Sequence, residues 1–411
     1  MLDRQVLNLT RLGWSLAVPV VFLAAVGLSC IHATERDPTP GAAAAAARYA
    51  GEERGWLLRT YDALGPMTVR QLVYLLTGTG LLLLVLVPSY QKIGRYAYPV
   101  YGITILLLLL LFVDRYVDLP LIPVRNNARR WIQYGFFTLQ PSEFMKLALV
   151  LVLARYLRFR NSYRRWWGLA PPFLLSVVPM VLILKQPDLG TMLMLLPVLF
   201  AMLFVAGARM RHLLVIIVLG TLTLPAFYYF GMKPYQRERI EVLFRQHTTD
   251  EAWHMDAGYQ LRQSKIALGT GGLTGTGYGA GIFVQYKDLL PEEQNDFIFA
   301  IIGHQWGLVG GLLAIGAYVL IIVFGLEVAT VTNDPFGRLL AVGVVVMIAV
   351  QALLNICMTI GLAPITGMTL PFVSAGGSSL WANFLALGLL VNVAQRRPLL
   401  IARPPFEHGD D

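Results

Sequence analysis

The sequence predicts an all-α polytopic integral membrane protein of about ten transmembrane helices, and three observations carry that prediction. The 411 residues are 56% hydrophobic and only 14% charged, where a soluble domain carries about 25% charged residues. Apolar runs recur along the chain at the roughly 20-residue length that crosses a hydrocarbon core of about 30 Å. Those runs are dominated by Leu, Ile, Val and Phe and lack period-2 alternation, which argues against a transmembrane β-barrel.

The expected spans have cores at 15–33, 71–88, 97–114, 143–158, 169–185, 189–207, 212–231, 297–326, 338–361 and 379–395. The first follows Arg4 and Arg11 and has the look of a signal peptide. It is long for one and many spans follow it, so an uncleaved first helix is the better reading. Run 297–326 exceeds one crossing and is expected to tilt or to begin in the interface. The chain reads as a single membrane domain over 1–411, with a large extracytoplasmic loop, 232–296, between spans 7 and 8.

Orientation follows from the loops. One side carries Arg4 and Arg11, Lys92 and Arg95, the cluster Arg155, Arg158, Arg160, Arg164 and Arg165, then Arg209 and Arg211, Arg338, and finally Arg396, Arg397 and Arg403. The positive-inside rule makes that side, and both termini, cytoplasmic. The same clustering accounts for the net charge of +9, so nucleic acid is not an expected partner. Connection 34–70, with its alanine run Ala42 to Ala47, reads as a surface helix or a flexible loop without chemistry. No internal repeat is visible, which weakly disfavours transporters built from paired halves. The two cysteines, Cys30 and Cys357, lie in apolar runs and read as packing residues.

Chemistry concentrates in polar clusters on the extracytoplasmic half. In Pro291-Glu292-Glu293-Gln294-Asn295-Asp296-Phe297-Ile298-Phe299-Ala300 three carboxylates precede an apolar run, so Asp296 is expected at the membrane boundary, ionised on the water side. A second cluster runs Asn126-Asn127-Ala128-Arg129-Arg130-Trp131-Ile132 and then Gln140-Pro141-Ser142-Glu143, with Lys146 beyond. Pro141 suits a helix start, and Glu143 and Lys146, three apart, share a face. They read either as a structural ion pair or as part of a headgroup pocket with Arg129 or Arg130 on phosphate.

Lys185-Gln186-Pro187-Asp188-Leu189-Gly190-Thr191 is a tight turn in which Asp188 can cap the next helix. Gly258 to Ala267, including Lys265, has the mixed pattern of an interfacial helix. The glycine-dense stretch Gly269 to Gly281 lacks the features of a phosphate loop and reads as a closing flap or a flexible loop. Thr366 to Ser379, with Ser374, Gly376 and Gly377, reads as a re-entrant segment whose backbone lines a cavity. His247, His254 and His304 lack the spacing of a zinc site, and no nucleophilic serine triad is supported.

These clusters, in this order, closely resemble the SEDS family (shape, elongation, division and sporulation), which includes RodA and FtsW. Arg130-Trp131-Ile132, Gln140 to Glu143 and Lys146 match one family motif. Gln186 to Thr191, Pro291 to Ala300 and Leu370 to Ser379 match three more. Within the family, Ala154-Arg155-Tyr156, Lys185 and Gln263 to Ala267 look more like RodA. Ile301 to Gly303 and Ala386 to Gly388 leave room for FtsW. The chain departs from the pattern at Gln294-Asn295, at Ala375 and at His304-Gln305, where the family usually has two glutamates.

The resemblance implies a peptidoglycan glycosyltransferase of the bacterial inner membrane that polymerises lipid II with inversion at the anomeric carbon, for cell-wall elongation and cell shape. It implies Asp296 as base and Arg130, Lys146 and Lys265 as partners of the pyrophosphate, with Glu143 holding Lys146. Alternatively Asp296 and Glu293 hold a divalent cation, magnesium or manganese. It also implies a class B penicillin-binding protein, a transpeptidase, as partner. The rival readings are an FtsW-like division polymerase, a lipid II flippase and a non-catalytic scaffold.

Overall fold

The computed structural model describes residues 13–35, 64–117, 122–124, 129–135, 137–160, 162–248, 250, 253, 256–286 and 289–396. The alanine run Ala42 to Ala47, Asn126 to Ala128, His254 and the terminal Arg4, Arg11, Arg397 and Arg403 lie outside them. The fourteen helices labelled here are α1 (Trp14–Glu35), α2 (Pro66–Leu86), α3 (Tyr90–Arg95), α4 (Ala97–Val117), α5 (Pro141–Leu157), α6 (Trp166–Lys185), α7 (Leu189–Ala206), α8 (Met210–Ala226), α9 (Pro234–Arg245), α10 (Tyr259–Gly271), α11 (Ile282–Gln285), α12 (Ile298–Val331), α13 (Pro335–Ile360) and α14 (Gly377–Gln395). Nine helices among the described residues are long and apolar enough to cross a membrane. The remaining expected span is α5, of 17 residues, whose sequence carries Glu143, Lys146 and Arg155. The chain is an all-α, multi-pass membrane protein.

Local sequence explains the helix ends that shape the site. Pro141 starts α5 at its first turn, where a missing N–H loses no bond. Asp188 caps α7 as expected, its Oδ1 accepting from the Thr191 N–H at 3.1 Å. Asp334 caps α13 through the N–H groups of Phe336 and Gly337. Gly361 ends the same helix at φ +82°, a conformation a Cβ would strain.

Burial grades inward. Helix α5 is buried without interruption from Met145 to Ala154, and α13 and α14 are the next most enclosed. Helix α13 packs on α5, α7 and α12, and α14 packs on α2. Helix α8 lies at the periphery, with Leu214, Ile217, Leu219 and Leu222 exposed, as a lipid-facing span should be. Apolar side chains therefore fill the core and also coat the outside, because lipid and protein interior are alike to them.

Three features depart from the expected layout. Run 297–326 is α12, reaching from Ile298 to Val331 and broken at Gly307, where φ is +63° and ψ −159°. The extra length is thus a short half-helix before the break and a full crossing after it. A two-stranded antiparallel hairpin, β1 (Ile132–Tyr134) with β2 (Phe137–Leu139), precedes α5. The 232–296 loop contains an amphipathic helix, α9.

The glycine-dense segment is neither flap nor loose loop. It docks on the helix break. Leu308 and Val309 donate to the carbonyls of Gly272 and Leu273 at 2.9 and 3.2 Å, and Thr276 and Gly277 donate to those of His304 and Gln305 at 3.0 and 3.1 Å. A Cβ on Gly275 or Gly307 would run into the facing backbone, so glycine is what permits the approach. The backbone groups freed by the break are satisfied there, which a broken helix in a membrane requires.

Candidate active site

The ends of α2, α4, α5, α6 and α13, the hairpin, α9 and the segments 291–296 and 365–379 surround one cavity of about 1460 Å³. Seven cationic side chains and four carboxylates line it among the described residues, a surplus of positive charge suited to a polyanionic ligand. Arg130, Glu143, Lys146, Gln186, Asp188, Asp296, Gly376 and Gly377 are all on its wall.

Asp296 closes a turn in which the N–H groups of Asn295 and Asp296 donate to the Glu292 carbonyl at 3.1 and 3.0 Å. Asn355 of α13 then fixes that turn from behind. Its Nδ2 donates to the Asp296 carbonyl at 2.8 Å and to the Met368 carbonyl at 2.6 Å. Asp296 is half-buried in the wall beside Gly367. A Cβ placed on Gly367 would lie 3.4 Å from Asp296 Oδ2 and 3.6 Å from Arg239 Nη1, so both groups flank that glycine.

Asp296 stands on the cavity wall, and its partial burial bears on the expectation that it is ionised there. Burial, joined by repulsion from Glu292, pushes its pKa up to about 7, while Arg239 and Arg130 pull the other way. A carboxylate poised near neutrality suits a general base. Burial, and then Arg130, lower the Arg239 pKa from its ordinary value.

Arg239 is the residue that sequence reasoning missed. It stands on α9 and donates from Nη1 to the Ile365 carbonyl at 3.2 Å. The signal was a basic residue in the amphipathic segment 234–245, which looks like many surface helices until the fold turns it inward.

Three of the cations show what holds them in place. Arg129 is paired with the buried Asp114, Nη1 to Oδ2 at 2.8 Å. Arg130 is braced by the Gln186 carbonyl at 2.9 Å and by the Pro187 carbonyl, so backbone rather than carboxylate orients it. Lys146 Nζ lies 2.7 Å from Glu143 Oε2 and donates to Gln351 Oε1 at 3.0 Å. The ion pair is therefore both structural and part of the cavity wall. Gln351 in turn donates to the Thr369 carbonyl at 3.0 Å, tying Lys146 to the re-entrant segment.

Other expected site residues serve as frame. Asp188 Oδ2 accepts from Ser142 at 3.1 Å, and Gln186 Nε2 donates to the Leu108 carbonyl at 2.9 Å. Ser374 does not line the cavity; its Oγ accepts from the Leu370 N–H at 2.7 Å and donates to the Asn295 carbonyl at 2.5 Å. It pins the re-entrant segment to the Asp296 turn. Lys265 is also away from the cavity, donating to Gln246 Oε1 at 3.1 Å beside a second, smaller depression.

Glu293 does not line the cavity, whereas Glu292 does. Among the described residues no group of three or more His, Cys, Asp or Glu side chains could hold a metal ion. The donor set fits only a hard cation shared with a ligand's phosphate oxygens, with Asp296 and Glu292 as the protein's share.

A four-motif wall of this kind on a bundle of broken and re-entrant helices defines a class, and comparison gives the family. The family model FTSW_RODA_SPOVE, described as cell cycle protein, matches residues 57–398, and the chain belongs to that family. It is 35% identical over 329 residues to the probable peptidoglycan glycosyltransferase FtsW of Geobacter metallireducens, covering 80% of this chain and 84% of that one. It is 30% identical to the peptidoglycan glycosyltransferase RodA of Treponema pallidum, covering 80% and 90%. Among solved structures, a chain described under structural coordination of polymerization and crosslinking by a peptidoglycan synthase complex matches with a TM-score of 0.72 and 29% identity, over 93% of this chain and 97% of that one. The RodA of Thermus thermophilus matches with a TM-score of 0.64 and 28% identity, over 93% and 97%.

Proposed function

We propose that the protein is a peptidoglycan glycosyltransferase that polymerises lipid II with inversion at the anomeric carbon. The observation that carries this reading is the placement of Asp296 in one cavity with Arg130, Lys146 and Arg239. Asp296 takes the proton from the 4-hydroxyl of the acceptor sugar as that oxygen attacks C1 of the donor. The bond from C1 to the donor's pyrophosphate breaks, and its electron pair leaves on the phosphate oxygen. Charge developing there is met by Arg130, Lys146 and Arg239, fixed in place before reaction. Glu143 and Gln351 hold Lys146, and Asn355 holds the Asp296 turn. The leaving pyrophosphate is acidic enough to depart without a second catalytic carboxylate. In the alternative reading, Asp296 and Glu292 would hold a divalent cation that does the neutralising, and Asp296 would then not be the base.

The setting is the bacterial inner membrane with both termini cytoplasmic, and the partner is a class B penicillin-binding protein that crosslinks the strands. Elongation and cell shape, the RodA role, fit motifs such as Gln263 to Ala267. A division role is the second reading, favoured by the 35% identity to FtsW of Geobacter metallireducens against 30% to RodA of Treponema pallidum. Purified protein with labelled lipid II, with and without the transpeptidase and a divalent cation, tests the proposal. Glycan ladders from the wild type that vanish in Asp296→Asn support it. The absence of ladders under every condition favours the scaffold or flippase.

A further inference from the structure

Lys265 was singled out by its motif, and the catalytic cavity does not use it. It lines a separate depression of about 390 Å³ together with Gln246, Trp253, Gly258, Leu261 and Arg262. That volume is at the small end of ligand pockets, which run from about 300 to 1,000 Å³. The depression is built rather than accidental. Gln246 Nε2 is held by the carbonyls of Leu243 and Gly361 at 3.0 and 3.2 Å, which aims Oε1 at Lys265 Nζ, 3.1 Å away. The ammonium spends one of its three donors there and keeps the others.

The Trp253 indole packs against Gly258, where a Cβ would collide with the ring. Gly258 and Trp253 are further joined by an N–H to carbonyl bond of 3.0 Å. Arg262 is exposed on the next turn of α10. No carboxylate lines the depression among the described residues.

An indole face, an amide and two cations are the elements that recognise a sugar ring carrying acidic substituents. The ring stacks on the aromatic, the amide bonds hydroxyl or acetamido groups, and the cations pair with carboxylates. Helix α10 also joins this place to the catalytic cavity, since Gln260 lines one and Leu261 with Arg262 the other. We propose that this depression is a second saccharide subsite, one that seats the acidic, peptide-bearing glycan beside the centre that makes it. The inference rests on the polymerase reading for its ligand and on the depression itself for its chemistry.

The test uses full-length Asp296→Asn protein, which keeps the depression intact, and a fluorescent, lipid-free tetrasaccharide of peptidoglycan bearing its peptides. Anisotropy reads binding, and parallel titrations use neutral chitotetraose, inorganic pyrophosphate and phosphatidylglycerol vesicles. The expected result is that the peptide-bearing tetrasaccharide binds, that chitotetraose binds more weakly, and that Arg262→Ala and Lys265→Ala each weaken the former about tenfold. Lys265→Arg restores binding, and thermal melting confirms that each variant is folded.

Absence of binding, or binding indifferent to both alanine substitutions, overturns the subsite. Pyrophosphate or vesicles that displace the tetrasaccharide at lower concentration than unlabelled tetrasaccharide also overturn it, by making the place a phosphate seat. Wild type that builds glycan while the tetrasaccharide fails to bind sinks this inference alone. Tetrasaccharide binding alongside a wild type that builds no glycan sinks the polymerase reading instead.

Discussion

Glu292→Gln should move the acid limb of the activity profile to lower pH. Asp296 is pushed from 3.8 to about 7, mainly by burial and next by Glu292. At 1.36 kcal/mol for each tenfold step in proton affinity, ionising it in place costs roughly 4 kcal/mol. Below about 7 the base is mostly protonated, so log kcat/KM should rise with unit slope as pH increases and level off above neutrality. Removing the Glu292 charge removes a repulsion on the order of 1–2 kcal/mol at an effective dielectric near 20, a displacement of roughly one pH unit downward. Arg239→Gln removes an attraction and should shift the limb upward. The assay is the initial rate of lipid II polymerisation between pH 5 and 9, at substrate concentrations well below KM. A flat profile, or a limb that moves upward in Glu292→Gln, refutes the assignment of that limb to Asp296.

The same shift has a stability consequence. A raised carboxyl pKa contributes stability that is complete below about 4 and is lost as pH rises through about 7, so Asp296→Asn should melt above wild type at pH 8 by an amount that shrinks towards pH 4, while its activity is abolished. Lys146→Ala should leave Glu143 as an uncompensated buried charge and destabilise by about 3–5 kcal/mol, whereas Glu143→Gln with Lys146→Met should recover most of the melting temperature without recovering polymerisation. Asn355→Leu frees the Asp296 and Met368 carbonyls and should lower kcat by about tenfold or more with KM little changed, since a misplaced base is felt in the transition state. Gly307→Ala forces a Cβ into the backbone of Leu273 and Gly275 and should lower the melting temperature and raise proteolytic nicking near 272–277.

Much of this was legible in the sequence because membrane helices announce themselves by length, and because the polar groups among them are too costly to be casual. Asp296, Arg130, Glu143 and Lys146 stood out for that reason, as did the capping geometry of Asp188. What stayed hidden were properties of the tertiary arrangement. Gly307 breaks a helix that composition reads as continuous, because the long run around it is mostly apolar and the break depends on the docked glycine loop. Arg239 and Lys265 carry the same charge in the same loop. The rotation of α9 and α10 sends one into the cavity and the other outside it. Glu292 and Glu293 are adjacent, and the turn, with Glu292 at φ +57°, decides which of them lines the cavity. Sequence proximity offered Glu293 as readily as Glu292, and only the fold separates them.

The most direct measurement of the central claim is the stoichiometry of bond formation against lipid release. Each new linkage must free one polyprenyl pyrophosphate, so both should be counted in the same reaction, with the anomeric configuration of the product assigned. One pyrophosphate lipid per β-linkage in wild type, and neither in Asp296→Asn, is the predicted result. Linkages formed at wild-type rate by Asp296→Asn, or a product that retains the α configuration, would contradict the account.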